Sequence, residues 1–180
     1  MRYYSFQELV CIALIIVYLV GIVSDIYKKQ YKNLNFVVSM IFLILATTIT
    51  FIVAPAFVVG SSMEPTLHNK DVLALNKLDR DFEKNDIVVF RSVNLKKSLI
   101  KRIIAVAGDT VSMQDGDLYV NGVLVEENYE TIPTVESFEE VVVPDNCYFV
   151  MGDNRPGSLD SRSETVGFIE KKYIYGKIIR

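Results

Sequence analysis

The stretch SLIKRIIAVAG, residues 98–108, decides how the second half of this chain is read. It is rich in isoleucine and ends in glycine, as a β-strand running into a turn does. With period-two alternation, Lys101 shares a face with Leu99 and Ile103, while Arg102 points to the other face. A lysine on an apolar strand face is either a base with a lowered pKa or a strand-edge side chain snorkelling to a membrane surface. Spacing alone leaves both open.

The neighbouring runs repeat the theme. DIVVF (86–90), DTVSM (109–113), DLYV (117–120), VLV (123–125), EEVVV (139–143), CYFVM (147–151) and YIYGKII (173–179) are short, apolar and β-branched. Asn121-Gly122 between DLYV and VLV predicts a two-residue hairpin, because both turn positions need a positive φ. No helical period of comparable length follows residue 56. The acidic stretch after the hairpin, through EENYETIPTVESFEE, reads as a loose, solvated surface excursion.

The first third is different. Residues 9–23, LVCIALIIVYLVGIV, and residues 34–59, LNFVVSMIFLILATTITFIVAPAFVV, carry no charge. As a helix, residues 34–54 would be about 31 Å long at ~1.5 Å per residue, enough for a ~30 Å hydrocarbon core. Tyr3, Tyr4 and Phe6 before the first run, and Tyr27 and Tyr31 after it, are placed as interfacial aromatic belts. Neither run has the basic start and early small-residue cleavage site of a signal peptide. The connecting segment holds Lys28, Lys29 and Lys32, so the positive-inside bias puts it in the cytoplasm and the rest of the chain outside.

The expected organisation is α+β: an outside tail (1–8), a first transmembrane helix (9–27), a cytoplasmic loop (28–33) and a second transmembrane helix (34–55). A small, mostly antiparallel β domain (56–180) then faces the extracytoplasmic side of the plasma membrane. Taking the four basic and two acidic residues before residue 56 from the totals of 19 and 22 leaves this domain 15 basic and 20 acidic residues. That balance argues against nucleic acid as a partner. Cys11 and Cys147 fall in different regions, and no Cys/His cluster could hold zinc, so no metal or other cofactor is expected.

The chemistry centres on GSSMEPTLH, residues 60–68. A serine hydroxyl needs a base to become a nucleophile. His68 is the only histidine, beside the turn-former Asn69, and reads as an exposed turn residue. The other solution is a Ser-Lys dyad, which needs a lysine depressed from about 10.4 by desolvation. Lys70, Lys77, Lys84, Lys96, Lys97, Lys171 and Lys172 sit in polar or charged surroundings; Lys101 does not.

Four motifs in order then resemble the type I signal peptidases, membrane-bound Ser-Lys endopeptidases that remove signal peptides from exported preproteins. SMEPTL (62–67) resembles the nucleophile motif, NDIVVF (85–90) the strand motif after it, KRIIAVAGD (101–109) the general-base motif, and MGDNRPGSLDSR (151–162) the motif that closes the site. The resemblance implies Ser62 as nucleophile and Lys101 as general base. It implies that Ser158 hydrogen-bonds and orients the lysine, and that Asp160 supports the site through Arg102 or Arg162. Asp153 and Arg162 read as scaffold. The Ser62 backbone N–H is the implied oxyanion donor.

Substrates of that family have small residues at −1 and −3, and bind as an added strand. Val58, Met63, Leu67 and Ile100 match the pocket walls and are equally suited to core packing. The expected partners are preproteins bearing signal peptides and the lipid bilayer, with the chain acting as a monomer.

This sequence departs from the family pattern at three places. Gly60 replaces a serine whose hydroxyl is a second oxyanion donor in many relatives. Lys70 and Asn85 stand where glycines precede Asp71 and Asp86, which bears on the turn geometry. The linker before the last motif is too short for a large accessory β domain. Two other readings share these residues: a self-cleaving Ser-Lys protein, and a degenerate membrane-anchored domain that binds exported chains.

Overall fold

The computed structural model describes residues 16, 18–23 and 33–179. The chain divides into two units, Met1–Ala54 and Pro55–Arg180.

In the first unit, α1 spans Asn33–Ile52, 20 uncharged residues and therefore about 30 Å at ~1.5 Å per residue. Val38, Ile41, Phe42, Ile44 and Leu45 on it are exposed. The second expected span, residues 34–55, is corrected at its end: the helix stops at Ile52, and β1 (Val53–Phe57) takes over. Pro55 explains the switch, because it lacks an N–H and pushes Ala54 toward extended backbone. The first expected span lies outside the described residues except for helical residues 16 and 18–23. Counted over the described residues alone, no helix is long and apolar enough to cross a membrane.

The second unit is built on two sheets. The strands are β2 (Val72–Asn76), β3 (Ile87–Ser92), β4 (Lys97–Val106), β5 (Thr110–Gln114), β6 (Asp117–Val120), β7 (Val123–Leu124), β8 (Phe138–Val142), β9 (Cys147–Met151), β10 (Ile169–Glu170) and β11 (Ile174–Ile178). The larger sheet has the order β1-β2-β11-β3-β4-β9-β10, and the smaller β7-β6-β5-β8. The pairings from β2 to β10, and those of the smaller sheet, are antiparallel. Asn121 and Gly122 both take positive φ, 54° and 72°, and close the β6–β7 hairpin as the sequence predicts.

Strand β9 shows why the core forms. Cys147, Phe149 and Met151 pack with Ile104, Val111, Met113 and Leu118, whereas Tyr148 and Val150 pack with Val88, Phe90 and Ile103 on the opposite face. A strand buried on both faces reads as a continuous apolar run, which CYFVM is. Strand β4 lies beside it and pairs Val88 of β3 with Lys101. Lys101 therefore shares the face of Val88 and Ile103, with Leu99 packed against the same cluster. Residue 102 turns the other way, as alternation requires.

Candidate active site

The site is built where β4 meets two loops. One loop, residues 58–71, follows β1. The amide of Lys70 donates to the Val58 carbonyl and that of Val58 to the Asp71 carbonyl, each at 2.9 Å, so the loop closes on itself. Within it, the Leu67 amide donates to the Met63 carbonyl at 2.9 Å. The other loop, residues 152–162, follows β9. Its Asn154 amide donates to the Ser62 carbonyl at 3.2 Å, and the Asn154 side-chain amide donates to the Ser61 carbonyl at 3.1 Å. Gly152 lets the loops touch. A Cβ there would lie 2.3 Å from both the Ser158 hydroxyl and the Ser62 carbonyl oxygen.

Ser62 and Lys101 meet. Lys101 Nζ lies 2.6 Å from Ser62 Oγ, and Lys101 is 2% exposed. Burial among apolar side chains lowers the lysine from its ordinary 10.5 to about 8, against the opposing pull of Asp160 and Asp153. About a tenth of the amine is therefore neutral at pH 7. Snorkelling to a surface is excluded for this lysine, whose side chain ends on the serine.

Arg102, 1% exposed, faces the other side of β4. Its Nε and Nη2 donate to the two Asp153 oxygens at 2.9 and 2.6 Å, and its Nη1 donates to the Asn85 carbonyl at 3.0 Å. Asp160 is bound elsewhere: it accepts the Gly152 amide at 3.0 Å and the Arg162 Nε at 2.9 Å. Of the two arginines open to Asp160 in the sequence, the structure selects Arg162. It gives Asp153 to Arg102, so that Asp153 and Arg162 tie strands to loops.

Ser158 is not bonded to Lys101. Its hydroxyl is buried with no hydrogen-bond partner, against the backbone of Gly152 and Ser62. Val58, Met63 and Leu67 are buried at 5, 2 and 7% exposure, and Ile100 is half-buried. Of the four expected pocket residues, Ile100 keeps the most surface. His68 is exposed, and its backbone amide donates to Asp71 Oδ2 at 2.8 Å, so the Asp71 carboxylate caps the turn on which it sits.

Two of the three departures acquire geometric meaning. Gly60 sits at φ +97°, a conformation that a serine adopts only with strain. Lys70 and Asn85 take φ 79° and 75°, the left-handed backbone that a glycine would supply without cost. The turns persist with the heavier side chains.

Sequence reasoning missed Asn154, Arg155, Glu127 and Tyr129. Tyr129 lies under the Arg102 guanidinium, with Cζ 3.7 Å from the ring centroid. Glu127 pairs with Arg155, itself 3% exposed. The signal was present as an aromatic residue inside the acidic EENYE, where a solvated loop needs none.

A family model described as signal peptidase, peptidase S26, matches residues 31–180. Signal peptidase I S of Bacillus subtilis is 42% identical over 140 residues, 70% of this chain and 74% of that protein. Signal peptidase I of Bacillus amyloliquefaciens is 42% identical over 139 residues, with the same shares. The probable signal peptidase I-2 of Synechocystis is 39% identical over 71% of this chain, which spans 62% of that relative's length. Among solved structures, a signal peptidase I from Enterococcus faecalis is 30% identical, with a TM-score of 0.49 over 55% of this chain and 97% of that one.

Proposed function

Because this chain belongs to the signal peptidase family, peptidase S26, we propose that it is a membrane-bound serine endopeptidase that removes signal peptides from exported preproteins. The observation that carries the mechanism is the 2.6 Å approach of Lys101 Nζ to Ser62 Oγ inside an apolar strand face.

Neutral Lys101 accepts the Ser62 proton as Oγ attacks the scissile carbonyl carbon. The developing oxyanion is held by backbone N–H groups of the loop, that of Ser62 among them, because Gly60 offers no hydroxyl. The lysine, now protonated, gives its proton to the departing amine, and an ester to Ser62 remains. Water, losing a proton to Lys101, attacks the ester. The lysine hands that proton to Ser62 Oγ as the ester bond breaks, which releases the signal peptide as a carboxylic acid and restores the neutral amine. Arg102, Asp153, Asp160 and Arg162 fix the loops, and Ser158 fills the space beside them.

The substrate lies extended against this site, with small residues at −1 and −3 set over a floor of Val58, Met63 and Leu67 and beside Ile100. The bilayer is the second partner. Uncharged α1 with exposed Phe42 and Leu45 supports contact with the bilayer, and Ser62 follows Ile52 by only ten positions. The catalytic unit then acts as a monomer on the extracytoplasmic side, where cleavage sites emerge. Incubating the full chain in vesicles with a preprotein tests this: cleavage after a small residue that disappears in Ser62→Ala supports it, and uncut preprotein overturns it.

A further inference from the structure

Resting on that reading, we propose that Tyr129 and Glu127 are positioning residues. The acidic segment 125–137 acts as a strap that holds Arg102 and Arg155, and through them the two loops around Ser62 and Lys101.

The segment is neither loose nor detached. At its start the Val125 amide donates to the Leu118 carbonyl at 2.8 Å. At its end the Gly116 amide donates to the Glu136 carbonyl at 3.0 Å, and the Asp115 amide to the Ser137 hydroxyl at 2.9 Å. Its middle is zipped to the closing motif. The Ile132 amide donates to the Asp153 carbonyl at 2.9 Å, and the Arg155 amide donates to the Ile132 carbonyl at 3.1 Å. Between these anchors exposure alternates: Val125, Glu127, Tyr129 and Thr131 are half-buried, while Glu126, Asn128 and Glu130 are exposed. Period two means an extended backbone with one inward face, and that face carries the two residues in question.

Each inward group meets a buried guanidinium. The Tyr129 ring covers Arg102, whose other contacts reach Asp153, Asn85 and, at 3.5 Å, the Thr66 hydroxyl of the serine loop. A cation–π contact of this kind keeps water from the ion pair. Glu127 accepts the Tyr129 hydroxyl at 3.0 Å and pairs with Arg155. Arg155 Nε in turn donates to the Gly152 carbonyl at 3.2 Å, and the Arg155 carbonyl accepts Arg162 Nη2 at 2.6 Å. Gly152 is the point where the closing loop touches Ser62 and Ser158. Without Glu127, Arg155 keeps a buried charge lacking its carboxylate, and the loop must shift to hydrate it. Without the ring, water reaches Arg102–Asp153 and loosens β4 beside Lys101. The Tyr129 phenol is itself pushed above its ordinary range, by burial first and by the Glu127 carboxylate, so it stays a neutral donor.

The test uses the full chain in vesicles with Tyr129→Leu, Tyr129→Phe and Glu127→Gln. Two readouts are followed across pH: acylation of Ser62 by a penem-type serine acylator, and kcat and KM for preprotein cleavage. Tyr129→Leu and Glu127→Gln are expected to lower the acylation rate and kcat about tenfold or more, with KM changed less than about twofold, as misplacement of reacting groups does. Their rising pH limb moves to higher pH, because hydration raises Lys101. Tyr129→Phe keeps the ring and stays within about threefold of the parent. Unchanged rate and unchanged limb in Tyr129→Leu, with only a lower melting temperature, would overturn the proposal. Should Tyr129→Leu fail to fold, Glu127→Gln decides by the same criteria. If the parent is acylated at Ser62 but leaves preprotein uncut, the peptidase reading fails, and the strap is judged on acylation alone.

Discussion

Asn154 holds Ser62 from behind: its backbone amide donates to the Ser62 carbonyl at 3.2 Å while its side chain donates to the Ser61 carbonyl at 3.1 Å. The nucleophile loop is therefore positioned by the closing motif, and Ser61 contributes its carbonyl rather than its hydroxyl. The Asn154 side-chain oxygen also accepts the Gly157 amide at 3.0 Å. Asn154→Ala removes the two side-chain bonds, to the Ser61 carbonyl and the Gly157 amide, and keeps the backbone bond. The expected loss is about 1–2 kcal/mol of stability and about tenfold in kcat from a displaced Ser62. Steady-state kinetics and chemical denaturation on one preparation check both.

Gly152→Ala is predicted to be far more damaging than a methyl group suggests. The new carbon would lie 2.3 Å from the Ser62 carbonyl and the Ser158 hydroxyl, so the two loops must separate. Overpacking of this kind costs about 1–3 kcal/mol. Acylation of Ser62 should fall at least about a hundredfold, since a shift near 1 Å suffices for that. Normal labelling of Ser62 in Gly152→Ala would show that the loops can part harmlessly.

Lys101 costs the fold stability at neutral pH. Its folded pKa, about 8, lies below the ordinary 10.5, so below pH 8 the folded chain must hold a charge that burial opposes. As pH rises from 8 to 10.5 the unfolded chain binds more protons than the folded one, and stability rises with pH. Lys101→Met should therefore be inactive yet more stable at pH 7 by up to about 3 kcal/mol, at 1.36 kcal/mol per unit. That advantage should shrink through the window and vanish above it. Denaturant melts of both proteins at several pH values measure it.

Lys70 occupies left-handed backbone at φ 79° on an exposed turn. Lys70→Gly relieves strain of about 1–2 kcal/mol, partly offset by the entropy that glycine loses on folding. A net gain of about 0.5–1 kcal/mol is expected, with kcat/KM unchanged. A destabilised Lys70→Gly would mean that the lysine side chain contributes to the turn.

Much of this was legible in the sequence, for identifiable reasons. Alternation along β4 separated Lys101 from Arg102, and Asn121-Gly122 marked its hairpin, because both depend on local geometry. Strands β2 and β10 were not anticipated, since VLALN and the two-residue IE acquire their conformation from pairing rather than from their own pattern. Strand β1 was hidden because VAPAF continues the apolar run of the helix although Pro55 ends it. The partner of Asp160 was beyond spacing, because a fold can bring to it either Arg162, its near neighbour in the chain, or the distant Arg102. The strap reads as solvated in the sequence because its acidic charge is spread along the whole segment. Only the fold distinguishes inward Glu127 from outward Glu126 and Glu130.

The dyad itself is tested most directly by the rate of Ser62 acylation as a function of pH in the parent chain. A single ascending limb with its midpoint near 8, the value that burial gives Lys101, and no acylation at any pH in Lys101→Met, is the predicted result. A limb near 6.5, as an unperturbed histidine would give, or acylation that survives Lys101→Met, would contradict it.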